Sequence, residues 1–181
     1  KFGGEIEMIA INSLFPSKLA KICSEKNIKF IQVSTDCVFS GNKGNYTESD
    51  NPDAIDCYGR SKCLGEVIFG GHLTIRTSVI GPELKKDGEQ LFNWFMSEEG
   101  EIEGFSDAIW SGVTSLELAR GVKWAIDHDI FGVYQLTNGS PISKNEILQL
   151  FKKYTNKEIL IRPITGINID KSFTDSRKLI N

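Results

Sequence analysis

The sequence predicts an α/β fold built on a parallel sheet, and three observations carry that prediction. Ile28 to Val33 is a short, nearly continuous apolar run, which suits a parallel strand covered on both faces. Met8, Ile11, Phe15, Leu19 and Ile22 precede it at spacings of three or four, the mark of one face of a helix. Thr114-x-x-Glu117 and Ser143-x-x-Glu146 are capping boxes that open two later helices, with a strand pattern between them.

Each element follows from local chemistry. The first helix is expected to be interrupted or bent near Pro16, because proline lacks the N–H that the helical ladder needs. The strand ending at Val33 delivers Ser34 and Thr35 to its carboxyl end, where ligands bind in open α/β sheets. A loop from Ser40 to Asp56, rich in Gly, Asn and Asp, reads as a surface connection that can form one wall of a site. Leu73 to Ser78 is the next strand and Gly81-Pro82 its stop. Leu91, Phe92, Trp94, Phe95 and Met96 make a dense aromatic helix, a pattern that usually fills a core or faces a subunit, with one face able to line a pocket. The capping boxes predict helices from Ser115 to Asp127 and from Lys144 to Tyr154, with Gly132 to Leu136 as a strand. After Pro163 the chain is poorly patterned.

Composition excludes several functions. With 181 residues, 40% of them hydrophobic, the chain can bury one core. A net charge of −3 and a pI near 5.5 argue against nucleic-acid or membrane-surface binding through basic charge. No apolar run approaches the roughly 20 residues of a membrane span, and no signal-peptide pattern opens the chain, so the expected location is cytoplasmic. Four cysteines (23, 37, 57 and 63) show no C-x-x-C spacing, and His72 and His128 are isolated, so neither a metal site nor a disulfide is expected. Cys57, beside Tyr58, is the candidate accessible thiol.

The chemistry lies in Ser34-Thr35 followed by Tyr58-x-x-x-Lys62. Residues four apart on a helix share a face, with Cβ atoms about 5–6 Å apart. A phenol of pKa about 10 is a poor acid–base catalyst at neutral pH, and a neighbouring cation that stabilises the phenolate improves it. Lys62 is placed to supply that charge, and Thr35, or failing that Ser34, to hold a substrate oxygen while Tyr58 moves the proton. The bland alternative is a surface Tyr–Lys pair. Of the four tyrosines, however, only Tyr58 has a lysine four residues on, and it follows the strand-end hydroxyls at a plausible loop distance.

Ser34-Thr35-Asp36-x-Val38-Phe39-x-Gly41, Tyr46-x-Glu48-x-Asp50 and Tyr58-Gly59-x-Ser61-Lys62-x-x-Gly65-Glu66 resemble the extended short-chain dehydrogenase/reductases. Within them they look most like the dTDP-4-dehydrorhamnose reductase group, which reduces the 4-keto group of a nucleotide-linked 6-deoxysugar with NAD(P)H. Asn12-Ser13-x-x-Pro16-x-x-Leu19-Ala20, Arg76-Thr77-Ser78-x-x-Gly81-Pro82 and Trp110-Ser111-Gly112-Val113-Thr114-x-x-Glu117-Leu118-Ala119 extend the resemblance over most of the chain; it is specific through residue 66 and weaker after residue 140.

The resemblance implies a partial Rossmann-type domain, a doubly wound parallel sheet, with a smaller α/β substrate-binding lobe. Residues 1–81 would be the carboxyl-terminal half of the NAD(P)-binding domain, rejoined by 112–138, and residues 82–111 and 139–181 the sugar-nucleotide lobe. It implies catalysis by Thr35, Tyr58 and Lys62. NADP or NAD would be contacted by Ser34, Tyr58, Lys62, Arg76, Thr77 and Ser78, and the sugar by Asp36, Cys37, Phe39, Val79 and Trp94. The expected partner is a dTDP- or UDP-linked sugar, in polysaccharide precursor synthesis, with a homodimer as the candidate assembly. Arg162, Lys171 or Arg177 is within reach of a nucleotide phosphate on this reading, the alternative being a solvated charged end.

Three departures matter. Cys37 stands where the group usually has Tyr, and Val79 where sugar-reducing members often carry Trp, so the sugar need not be that of the namesake enzymes. No glycine-rich pyrophosphate turn joins a strand to a helix: Gly3-Gly4 lacks a preceding strand, and Gly70-Gly71 follows the Tyr58 helix. The expectation is a chain lacking its first βαβαβ half, on the order of 70–90 residues, that binds a dinucleotide weakly or not at all and carries an exposed sheet edge. Two other functions use the same pattern: a sugar-nucleotide epimerase or dehydratase, weakened by Asp36-Cys37 where dehydratases usually have Asp-Glu, and a non-catalytic regulatory subunit such as a methionine adenosyltransferase partner.

Overall fold

The computed structural model describes residues 4–85, 88 and 90–174. A parallel sheet of three strands lies at its centre, in the order β1 (Ile31–Thr35), β2 (Leu73–Thr77), β7 (Gly132–Gln135). Leu73 and Ile75 send their side chains into a core with Val113, Ala125 and Leu136. Helix α5 (Ser115–Asp127) covers that side, with Leu118, Val122 and Trp124 packed against the core. The segment after residue 112 thus returns to the sheet of Ser34 and Thr35. Among the described residues β1 pairs only with β2, and Val33 is 40% exposed.

The amino-terminal helix is divided as proline chemistry requires. Helix α1 (Glu5–Ile9) runs into a π-helical turn (Ala10–Leu14) and then α2 (Phe15–Glu25), with Pro16 in the first turn of α2. Proline offers no N–H to the carbonyl four residues back, and the wider turn absorbs the mismatch. The predicted core face is, however, the outer one: Ile11, Phe15 and Ile22 are exposed, and Asn12, Ser13, Pro16 and Ala20 are buried. Periodicity located a helix but misassigned its inward side, because that side is held by hydrogen bonds. Asn12 Nδ2 donates to Ser61 Oγ (3.1 Å) and Ser13 Oγ to the Ser61 carbonyl (2.7 Å), while buried His72 donates through Nε2 to the Ala20 carbonyl (3.0 Å). His72 Nδ1 accepts from Phe30 N, so this histidine is a satisfied structural residue; His128 stacks on Trp124.

Farther along, β3 (Val79–Ile80) pairs with β6 (Val113–Thr114). A second core forms where α4 (Leu91–Ser97), α6 (Lys144–Thr155), β4 (Glu101–Phe105) and β9 (Leu160–Ile164) meet, around Phe95, Ile102, Leu148, Ile159 and Ile161. Strand β5 (Ala108–Trp110) lies between β8 (Ile142–Ser143) and β10 (Ile169–Asp170). Both predicted caps form. Ser143 closes a full box with Glu146, whereas Thr114 accepts from Glu117 N and the Glu117 carboxylate turns to Arg120. The tail is more ordered than its pattern foretells: after β10, Phe173 bridges to Tyr46 and Phe173 N donates to Ser111 Oγ (2.8 Å), tying the carboxyl end to the loop after β1.

Candidate active site

Strand β1 ends at Thr35, whose hydroxyl opens a 3-10 turn over Asp36–Val38. Thr35 Oγ1 accepts from Cys37 N and donates to Asp36 Oδ1, both at 3.1 Å. Helix α3 (Cys57–Leu64) starts at an Asp56 cap, Oδ1 accepting from Gly59 N at 2.8 Å. The helix then lies against that turn at Gly59. A Cβ there would fall 2.6 Å from Ala54 Cβ and closer still to the Cys37 carbonyl oxygen. At Gly65 a Cβ would run into the backbone of Asn12. The two glycines let α3 press into the groove between the strand end and the amino-terminal helix, and that approach sets the Tyr58 phenol beside Thr35.

Burial pushes the Tyr58 phenol up, with smaller upward pushes from Cys37, Asp36 and Asp56 and an opposing pull from Thr35. Lys62 Nζ donates to the Val33 carbonyl at 3.2 Å, and burial lowers its pKa against a smaller opposing effect from Glu66.

Several predicted site residues hold the site rather than face it. Ser34 Oγ donates to Glu66 Oε1 (2.7 Å), and Arg76 grips the same carboxylate through Nε and Nη2 at 2.7–3.2 Å, with both side chains of the ion pair nearly inaccessible to solvent. Thr77 Oγ1 donates to the Leu136 carbonyl (2.8 Å). Phe39 is wholly buried, stacked on Tyr46 at 4.1 Å with Arg76 over its ring. Trp94 packs against the Phe95 core on the second lobe. Ser34 and Thr77 thus spend their hydroxyls, and Phe39 its ring, inside the protein, whereas the buried Arg76 Nη1 has no hydrogen-bond partner and Trp94 is half-buried. Asp36 and Cys37 stay beside Thr35 and Tyr58, and Ser78 and Val79 are half-buried where β3 pairs with β6. Burial pushes the Cys37 thiol up, with Asp36 adding to the shift. Arg162 pairs with Glu101 and Glu103, and Arg177 lies outside the described residues.

The residues present fit one end of a dinucleotide. Tyr58 and Lys62 lie on the helix packed against β1, at the edge of the sheet among the described residues, where they could contact a nicotinamide and its ribose. The described residues offer no strand-to-helix glycine turn for a pyrophosphate: Gly70 and Gly71, both with positive φ (69° and 71°), turn the chain into β2. Among the described residues no group of three or more His, Cys, Asp and Glu side chains can hold a metal ion.

The site thus joins hydroxyls at a parallel strand end, a Tyr-x-x-x-Lys helix pressed against them and a second lobe built around β4, β5 and α6. The chain belongs to the RmlD substrate binding domain family, whose model matches residues 5–173. It is 48% identical over 58 residues to the probable low-salt glycan biosynthesis reductase Agl14 of Haloferax volcanii, covering 32% of this chain and 19% of that protein. It is 26% identical over 160 residues to the bifunctional dTDP-4-dehydrorhamnose 3,5-epimerase/dTDP-4-dehydrorhamnose reductase of Arabidopsis thaliana, covering 83% of this chain and 52% of that one. Its fold is that of a dTDP-4-dehydrorhamnose reductase from Bacillus anthracis in complex with NADP (TM-score 0.78, 22% identity, 91% of this chain and 63% of the other). A hypothetical dTDP-4-dehydrorhamnose reductase from Sulfolobus tokodaii gives a TM-score of 0.81 at 24% identity, over 93% and 64% of the two chains. The chain spans less than two thirds of the length of each of these relatives.

Proposed function

We propose that the chain carries the acid–base and substrate-binding residues of an NAD(P)H-dependent reductase of a nucleotide-linked 4-keto-6-deoxysugar, in the supply of deoxysugars for cell-surface glycans. The observation that carries this reading is the placement of the Tyr58 phenol, on a helix pressed close at Gly59, beside the Thr35 hydroxyl at the end of β1. Reduction of a ketone needs a proton donor beside the forming alkoxide, and a phenol whose pKa burial raises keeps its proton at neutral pH. An epimerase or dehydratase, which first oxidises an alcohol, needs the same phenol as a base. The relatives named as reductases, and neighbours solved with NADP, NAD or UDP-glucose, support the substrate and cofactor classes.

A bound nicotinamide cofactor supplies the hydride. Thr35 holds the carbonyl oxygen by a hydrogen bond, and Tyr58 passes its proton to that oxygen as it becomes an alkoxide. Lys62, released from Val33, binds the ribose and favours the phenolate left behind. The division of labour places the cofactor on the sheet of β1, β2 and β7 and the sugar nucleotide against the lobe of β4, β5 and α6. No described helix is long and apolar enough to cross a membrane.

The test is NAD(P)H oxidation with a panel of dTDP- and UDP-linked 4-keto-6-deoxysugars, by a protein that also carries a cofactor-binding half. Tyr58→Phe is expected to lower turnover by roughly 10² or more, the usual value of a general acid. Undiminished reduction refutes the assignment; loss of all turnover with intact binding of a protein partner would favour the regulatory alternative only if wild type were inactive too.

A further inference from the structure

Residues 169–174, poorly patterned in sequence, are hydrogen-bonded along both edges of the backbone. On one edge Ile169 N donates to the Asp107 carbonyl (3.0 Å), Lys171 N to the Ile109 carbonyl (3.4 Å) and Phe173 N to Ser111 Oγ (2.8 Å), on and beside β5 of the second lobe. On the other edge Asp170 N donates to the Gly41 carbonyl (2.8 Å), the Ser172 carbonyl accepts from Tyr46 N (2.8 Å), and Thr174 N donates to the Tyr46 carbonyl (2.9 Å). Residues 41–46 belong to the loop that leaves the turn capped by Thr35. One stretch of backbone thus stitches the second lobe to the catalytic turn.

Ser172 is the centre of the stitch. It is 0% exposed; its hydroxyl accepts from Asn45 N (2.9 Å), and its own N–H is taken by Asp170 Oδ1 (2.9 Å). The loop lies close against it because two of its residues are glycines in left-handed backbone, Gly41 (φ 90°) and Gly44 (φ 70°). A Cβ at Gly41 would fall 2.5 Å from Ile169 Cγ2, and one at Gly44 would enter the Asp170 carboxylate. That carboxylate is held by Ser172 N and cannot simply swing away. From the loop the contact runs inward. Tyr46 stacks on Phe39 at 4.1 Å, Phe173 meets the same ring edge-on at 6.0 Å, and Phe39 closes the 3-10 turn of Asp36–Val38.

A buried serine in a terminal strand ordinarily serves local stability alone. Here the hydroxyl sits between the two parts that a reaction must bring into register, and close-packed interiors transmit displacement rather than absorb it. We infer that Ser172 is a positioning residue: through Asn45 and Tyr46 it holds the turn that carries Thr35 in register with the second lobe. Its effect on turnover rests on the reductase reading above; its effect on Tyr58 does not.

The experiment compares wild type, Ser172→Ala and Gly44→Ala. In the 181-residue chain, amide exchange at Asn45 and Tyr46 and the absorbance titration of Tyr58 are followed; in a protein that also carries a cofactor-binding half, kcat and KM are measured for NAD(P)H oxidation with the 4-keto-6-deoxysugar panel. Ser172→Ala, which strands the Asn45 N–H, should speed exchange at both amides about tenfold or more. It should also bring the late ionisation of Tyr58 down toward the ordinary tyrosine value of about 10. Turnover should fall about tenfold or more with KM within about twofold of wild type, because the lobe itself is intact and only the reacting groups are displaced. Gly44→Ala disturbs the same contact from the loop side with Ser172 in place and should produce the same changes; if Ser172→Ala does not fold, it carries the comparison. Faster exchange at Asn45 and Tyr46 with Tyr58 titrating as in wild type marks a purely local role and overturns the inference, as does unchanged exchange. A wild-type protein that turns over no member of the panel overturns the reductase reading alone, and the Tyr58 titration still decides the role of Ser172.

Discussion

Gly59→Ala sets two effects of similar size against each other, and the structure decides the sign. Gly59 is in the first turn of α3, and inside a helix alanine is favoured over glycine by up to about 1 kcal/mol from backbone entropy alone. If helix propensity ruled, the variant would be more stable. The added Cβ, however, would lie 2.6 Å from Ala54 Cβ, against an optimal carbon–carbon separation of about 3.5–4.0 Å, and nearer still to the Cys37 carbonyl. The obstruction is backbone and a short side chain, so neither can swing away, and α3 must retreat by about 1 Å. Overpacking of this kind costs about 1–3 kcal/mol, so urea unfolding should show a net loss of roughly 0–2 kcal/mol after the propensity gain. The same retreat moves Tyr58 away from Thr35, and a displacement of about 1 Å at a reacting group costs roughly 10² in turnover. Arg60→Ala, on the exposed side of the same helix, is the control and should stay within about 0.5 kcal/mol of wild type. A Gly59→Ala chain more stable than wild type by about 1 kcal/mol would refute the close-approach argument.

Glu66→Gln should destabilise the chain by about 3–5 kcal/mol in urea unfolding, because it strands the buried Arg76 charge, while replacing Glu66 and Arg76 together by Leu and Met should recover most of that loss. Tyr58 should ionise above the ordinary tyrosine value of about 10 in an absorbance titration, and that late step should vanish in Tyr58→Phe. The sign for stability follows: above the unfolded value of about 10 the native chain keeps a proton that the unfolded chain has lost. The stabilising contribution is therefore complete below about pH 10 and is lost as pH rises through the higher folded value. Lys43 and Thr47 hold the Asp50 carboxyl at about 2, so Lys43→Gln should move its NMR titration midpoint back toward the ordinary aspartate value. Ser143→Ala, which opens the capping box of α6, should cost about 1 kcal/mol.

Much of the fold was legible because it rests on short-range rules. The strand after His72 and both capped helices sit within a residue of where pattern places them, and the strand of the apolar run before Ser34 begins three residues later, at Ile31. The inward face of the amino-terminal helix was not legible, because Asn12 and Ser13 are buried by bonds to Ser61, forty-eight and more residues away. Ser172 was missed for a related reason. A serine in a poorly patterned tail reads as solvated, and its burial depends on a bond to Asn45, 127 residues earlier in the chain.

Ser34, Arg76 and Thr77 share a structural task, and it bears on how the site works. Ser34, Arg76 and Thr77 are polar, lie at strand ends and flank the catalytic hydroxyl, which is how residues that touch a cofactor look in sequence. In the structure they close a buried network around Glu66 and Leu136 that fixes β1 to β2 and both to the start of the turn after α3. The ion pair contributes little net stability compared with an apolar core of the same shape, but it permits few arrangements of its partners. Thr35 leaves the sheet one residue beyond Ser34, and Lys62 lies one helical turn before Glu66. The buried carboxylate therefore sets the strand end and the Tyr–Lys helix in a common frame, and a variant at Glu66 should impair positioning at Tyr58 even where the chain still folds.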